Sequence, residues 1–197
     1  MPKGIPLSEA ELSQRRREIF NAAVNLFLEK GFQETSMREI AEAAGMGKSS
    51  LYDYFKTKDE ILAFVIEEET IILTKQAQAI ARQNISPEIR LKQIMELHVN
   101  FMQENAHLFS RLSAEALRLK PESQKGIQQT RYAYQDLVAV IIQEGIAAGR
   151  FREMAPLHAA RLLINSLLSV LYTTRPTGST ETMLDETVEI FLHGLQI

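Results

Sequence analysis

Thr35-Ser36-Met37-Arg38-Glu39-Ile40-Ala41-Glu42-Ala43-Ala44-Gly45-Met46-Gly47-Lys48-Ser49-Ser50-Leu51-Tyr52-Asp53-Tyr54-Phe55 reads as two short helices about a tight turn. Ser36 stands three residues before Glu39, a capping-box start, and the helix it opens stops near Gly45, about two turns on. Ala44-Gly45-Met46 then leads into a second short helix, Lys48 to Phe55. Small Ala41 lets the two helices approach, and Gly45 can take the positive φ that the turn demands. Ile40, Met46, Leu51 and Phe55 fall where they can pack against a preceding helix, leaving Lys48, Ser49, Ser50, Tyr52 and Asp53 outward. This is helix-turn-helix spacing, and a helix of that size fits the DNA major groove. Tyr52 and Tyr54 lie two apart on a helix and cannot both face inward, so at least one hydroxyl is free for a phosphate.

Outward from this segment the whole chain reads as helix, with no convincing strand. A first helix runs from about Ser13 to Lys30, with Ile19, Phe20, Ala23, Val24 and Phe27 at helical spacing and Gly31 as its stop. After Thr57, a candidate N-cap, a long helix spans Lys58 to about Arg82. Ser86-Pro87-Glu88 launches another to about Gln103, Asn105 can cap one ending near Leu119, and Ser123 to Ala148 closes at Gly149. Pro156 to about Thr174 and Thr180 to Leu195 complete about nine helices. The expected fold is therefore all-α: a three-helix helix-turn-helix unit over residues 1–56, then a larger helical bundle over 57–197.

Composition narrows the function. The chain has 197 residues, 45% of them hydrophobic, enough for a packed core and against intrinsic disorder. With no cysteine, a disulfide framework, a thiolate metal site and a cysteine nucleophile are excluded, which fits a reducing, cytoplasmic setting. Met1 to Leu12 carries Pro2, Pro6, Glu9 and Glu11 where a signal peptide needs apolar residues, and no run approaches a membrane span. The net charge of −3 hides local grouping: Arg15-Arg16-Arg17 form one basic cluster, and Lys48, Lys56 and Lys58 another around the second short helix. A Gly-rich phosphate loop, a nucleophile elbow and histidines at metal-binding spacing are all missing, so the reading is neither an enzyme nor a cofactor or metal protein.

The elements Ile19-Phe20-Asn21-Ala22-Ala23, Leu26-Phe27, Glu29-Lys30-Gly31-Phe32, Thr35 to Ala41, Ala44-Gly45-Met46, Leu51-Tyr52, Tyr54-Phe55, Lys58 and Ile61-Leu62 together resemble the TetR (tetracycline-repressor-like) transcription regulators. The resemblance covers roughly the first 62 residues. It departs at Gly47, where the family usually has Ser, and at Ser49, where Gly or Ala is frequent; Gly is itself an acceptable N-cap. The resemblance implies that Lys48, Ser49 and Ser50 meet base edges or neighbouring phosphates, that Arg38 meets a base, and that Ser36, Tyr52, Tyr54 and Lys58 position the DNA backbone. Arg15 to Arg17, ahead of the unit's first helix, then resemble a basic arm on backbone or minor groove.

The bundle is expected to hold an effector and a twin. Met95, His98, Phe101 and Met102 form one stripe, to be met by Phe109, Leu112 and Leu117, by Arg131, Tyr134, Val138 and Ile141, and by Asn165. Each is core by default, but methionines and aromatics with a few polar groups also suit an apolar ligand with a polar head, which Arg131 would favour as an anion. His98 amid apolar neighbours needs a partner; His107 and His193 read as structural, and Glu67 to Glu69 as a solvated face. Met183, Leu184, Thr187, Ile190, Phe191 and Leu195, with Ala159, Leu162, Leu163, Ser166 and Val170, recur at three and four residue steps and suggest a homodimer seam along the last two helices. The expected function is a dimeric repressor on a pseudo-palindromic double-stranded DNA operator, released by a small effector; the alternative is a DNA-binding protein whose bundle binds a protein partner.

Overall fold

The computed structural model describes residues 8–196, except the side chains of Glu9, His107, Ser110, Arg111 and Ser113, so the reading of His107 lies outside the described residues. Its helices are α1 (Glu9–Lys30), α2 (Met37–Ala43), α3 (Lys48–Tyr54), α4 (Lys58–Ala81), α5 (Pro87–Glu104), α6 (Ala106–Ala116), α7 (Pro121–Ala147), α8 (Pro156–Leu171) and α9 (Thr180–Leu195). Among the described residues the fold is all-α, with one isolated bridge between Phe151 and Gln196.

Local chemistry explains most boundaries. Ser36 Oγ accepts from the Glu39 amide at 3.3 Å while the Glu39 carboxylate takes the Ser36 amide at 2.8 Å, the expected reciprocal cap of α2. Gly45 has φ 65, and the amide of Met46 reaches back to the Ala41 carbonyl at 2.9 Å, closing the turn. Two expectations shift. A second capping box, Ser8 with Glu11, starts α1 at Glu9, so Arg15 to Arg17 are its second turn and not an arm ahead of it. Asn105, expected to open α6, is also the C-cap of α5: its side-chain amide donates to the Phe101 carbonyl at 2.9 Å.

The chain forms two compact units that are not consecutive in sequence. One takes the described residues up to Glu68 together with His107–Ile127; the other takes Glu69–Ala106 and everything from Gln128. The partition expected at 56/57 differs from this division by packing, because α4 and α7 each contribute to both units. In the first unit Ile19, Phe27, Ile40, Leu51, Phe55 and Leu62 are buried together, and Leu108, Leu112, Leu119 and Ile127 complete the same core. The Phe27 and Phe32 rings meet edge to face at 5.3 Å, which folds the chain back after Gly31. In the second unit α5 packs on α8 and α9, burying Leu91, Ile94, Met95, Val99, Leu163 and Leu167. Glu69, expected in a solvated face, is buried there, and burial raises its carboxyl above the usual range; burial does the same to Glu67 of the first unit.

Glu39 ties α1 to α2 through its ion pair with Lys30. Hydrogen bonds from Lys30 first, then from Ser36, hold the Glu39 carboxyl down at about 2. A depressed folded pKa stabilises above the unfolded value and is lost as protons arrive. Stability is therefore expected to fall between about pH 4.5 and 2, and Glu39→Gln to flatten that part of the wild-type melting-temperature profile. A variant profile parallel to wild type would contradict the assignment.

Candidate nucleic-acid interface and effector site

α3 is seven residues long and buries only Leu51. Lys48, Ser49, Ser50 and Asp53 are exposed, as is Arg38 on α2, while Tyr52 and Tyr54 are half-buried. The Lys48 ammonium lies 5.9 Å from the centre of the Tyr52 ring, one turn further along the same face. Arg38 rests on Glu42 at 3.2 Å, an exposed pair across one turn whose net contribution is small, so the guanidinium is free to exchange onto a base. Together Lys48, Ser49, Ser50 and Asp53 give α3 a polar outer face with one charge of each sign, and a short helix with such a face can enter a major groove.

Two residues assigned to the DNA backbone are placed differently. Lys58 donates to the carbonyls of Phe32 at 2.5 Å and Gln33 at 2.9 Å and lies over the Phe32 ring, at 4.5 Å from its centre. It is a strut between α4 and the α1–α2 connection, and burial lowers its pKa. The Ser36 hydroxyl is exposed but is engaged in capping, accepting from the Glu39 amide and donating to the Glu39 carboxylate at 2.8 Å. Sequence reasoning gave Lys56 only to the basic cluster; its ammonium donates to the Tyr52 carbonyl and closes the end of α3. A cleft of about 1060 Å³ runs beside α3, with Arg15 and Arg16 among its lining residues.

In the second unit His98 and Tyr134 form a buried polar pair. His98 Nδ1 stands 3.1 Å from the Tyr134 hydroxyl, with ring centres 5.6 Å apart, so the partner that His98 required is Tyr134. Burial depresses the His98 pKa to about 4 and pushes the Tyr134 phenol well above its usual value, so both are neutral at pH 7. In the Nε2–H tautomer the phenol donates to Nδ1, and in the Nδ1–H tautomer the ring donates to the phenol oxygen. Met95, Phe101, Val138 and Ile141 are buried in the same unit, and Met102 is half-buried. Arg131 and Asn165 are exposed instead, since Tyr134 takes the inward side of α7 and Leu163 and Leu167 that of α8. Half-buried Phe109 and buried Leu112 belong to the first unit, where Leu112 joins the core, and Leu117 is 83% exposed. His193, expected to be structural, is exposed on α9, its Nδ1 2.9 Å from the Glu189 carbonyl. Among the described residues no group of acidic or histidine side chains could hold a metal, and no helix is long and apolar enough to cross a membrane.

Comparison with known proteins agrees with this geometry. The model of bacterial regulatory proteins of the tetR family matches residues 19–65, and that of the tetracyclin repressor-like C-terminal domain matches 84–195. The transcriptional repressor KstR2 of Mycolicibacterium smegmatis is 30% identical over 151 residues, 75% of this chain and 72% of its own. The fatty acid metabolism regulator protein of Bacillus subtilis is 23% identical over 157 residues, 80% of this chain and 81% of its own. The crystal structure of FadR from Bacillus subtilis in complex with stearoyl-CoA shares the fold at a TM-score of 0.77, covering 91% of this chain and 99% of that one at 19% identity. With the reading unit and the bundle both matched, this chain belongs to the TetR family of transcription regulators and is not an enzyme.

Proposed function

We propose that the protein is a dimeric cytoplasmic repressor that holds a pseudo-palindromic operator through two copies of α3 and is released by an apolar effector with a polar head. The observation that carries the DNA half is the exposed row Lys48, Ser49 and Ser50 on a helix anchored from behind by Leu51. Lys48, Ser49 and Ser50 meet bases or nearby phosphates, Arg38 reads a base, and Tyr52 and Tyr54 touch the backbone. One such head reads too few base pairs to be selective, so two related by a twofold axis are needed. The effector half is supported by the buried His98–Tyr134 pair, a polar group in a unit that also buries Met95, Phe101 and Val138. Relatives named for fatty acid metabolism and a fold neighbour bound to stearoyl-CoA favour an acyl chain as the apolar portion.

Release requires that the effector bind the DNA-free form better than the DNA-bound one. A coupling of about 1 to 3 kcal/mol lowers operator affinity roughly 5- to 150-fold, and DNA must weaken the effector by the same factor. Titrating a duplex from the protein's own upstream region with and without stearoyl-CoA is expected to show that reciprocal loss. Met102→Trp, which enlarges a half-buried side chain of α5, is expected to weaken stearoyl-CoA binding. Binding of stearoyl-CoA that leaves DNA affinity unchanged would contradict release by an acyl effector.

A further inference from the structure

We propose that the Glu67 carboxylate of α4, seated against Gly126 of α7, sets α4 for operator binding, which makes these two residues positioning residues for the half-site spacing that the protein accepts. The inference rests on the reading of the protein as a dimer on a pseudo-palindromic operator. α4 and α7 are the two helices that contribute to both units, and each leaves the first unit just beyond this contact, α4 after Glu68 and α7 after Ile127. Glu67 and Gly126 themselves both lie in the first unit, one residue short of those points.

Space explains the glycine. Gly126 is the sixth residue of the 27-residue α7 and is not among the glycines with positive φ, so its backbone conformation suits any residue. A Cβ there would collide with Glu67 Oε1 and stand 2.5 Å from Glu67 Cδ, so even a methyl group evicts the whole carboxyl group. Glu67 is half-buried, and among the described residues no hydrogen bond holds its carboxylate. Burial first, then the charge of Glu68, raises its pKa, and Arg16 of α1 opposes them. The Arg16 guanidinium lies 5.9 Å from the centre of the Phe64 ring, one turn before Glu67 on α4. α1, α4 and α7 therefore act on one carboxylate. Stability accounts for neither partner. Glycine weakens a helix interior relative to alanine, and a carboxylate short of both water and hydrogen bonds is disfavoured. Two locally unfavourable choices set against each other, where both shared helices leave the reading unit, mark a position kept for function. α4 also carries Lys58, which holds the carbonyls of Phe32 and Gln33, so a shift of α4 against α7 is passed to the connection that leads into α2 and α3.

The experiment measures binding of the full chain to a duplex from its own upstream region, and to two forms of that duplex with one base pair inserted or removed between the half-sites. Gly126→Ala is expected to lower affinity for the natural duplex about 10-fold and to change the order of preference among the three, without a fall in its urea midpoint. Adding Glu67→Ala, which makes room for the new methyl group, is expected to recover the natural order and most of the affinity. Adding Glu67→Gln, which keeps the size of the side chain, is expected to recover neither. Unchanged binding by Gly126→Ala, or recovery by both second substitutions or by neither, overturns the assignment. A loss equal on all three duplexes, or one matched by a falling urea midpoint, is a structural effect and overturns it as well. Hydrogen exchange without DNA reads the contact separately: Gly126→Ala is expected to change exchange of the α4 amides around Glu67, and Glu67→Ala to reverse that change. Wild-type protein that binds none of the duplexes overturns the proposed operator function, whereas normal wild-type binding with no exchange response overturns the Glu67–Gly126 contact, so the two failures are distinguishable.

Discussion

Leu51→Ala is expected to destabilise the first unit by about 2–5 kcal/mol and to abolish operator binding at concentrations where wild type saturates. The magnitude follows from its position. Leu51 is fully buried with Ile40, Phe27 and Leu62, and it is the one buried side chain of α3, with half-buried Tyr54 packed against the same core. A seven-residue helix has too few turns to persist by itself in water, so α3 exists because Leu51 holds it. Gly47 adds no side-chain hydrogen bond at the start of the helix. Truncation therefore leaves a cavity and also releases the element that carries Lys48, Ser49 and Ser50. Urea unfolding and DNA titration of the same preparation check both effects. Full operator affinity in a variant destabilised by that amount would show that α3 does not need its anchor, and would remove α3 from the interface.

What could be read in the sequence is what short-range chemistry controls. Ser36 with Glu39, Gly45 in the turn, and Pro87 and Pro156 at helix starts each act within a few residues, and each stands where the spacing placed it. The need of His98 for a partner was also legible, because an imidazole among Met95, Val99 and Phe101 has no local acceptor. Its answer, Tyr134, comes from thirty-six residues away. Tertiary choices between adjacent residues were not legible. Arg131 and Tyr134 are neighbours on α7, and only the packing of the second unit decides that the phenol turns in and the guanidinium out. Lys58 looked like a phosphate ligand because the carbonyls of Phe32 and Gln33 that it binds are invisible to a charge pattern. The largest misreading concerns α6. Its apolar stripe could serve either unit, and Leu112 spends it on the core of the reading unit.

Ile190→Asp combined with Leu168→Asp is expected to convert a dimer to monomers at micromolar concentration while leaving each chain folded. The two last helices divide their apolar residues. Ala159, Ala160, Leu163, Leu167 and Val170 of α8, with Leu184, Val188 and Leu195 of α9, are buried within their own unit. Half of the expected seam is thus core. Of the rest, Leu162 is 54% and Ile190 76% exposed, and two residues outside the expected seam, Leu168 at 43% and Tyr172 at 53%, are exposed as well. Tyr172, the C-cap of α8, follows Leu168 by one turn, and Ile190 follows half-buried Met183 and Thr187 along α9. Exposed apolar residues concentrated on two neighbouring helices suit an isologous surface, each copy supplying the same pair. Because each copy carries both substitutions, four charges enter such a seam, and at about 2 kcal/mol each they weaken association by on the order of 10^6-fold. Operator affinity should fall with it, because each head then binds its half-site alone. Sedimentation of the double variant tests the seam directly, and Leu163→Asp provides the contrast, since a charge at that fully buried position should unfold the chain. A double variant that still sediments as a dimer would place the twofold axis elsewhere.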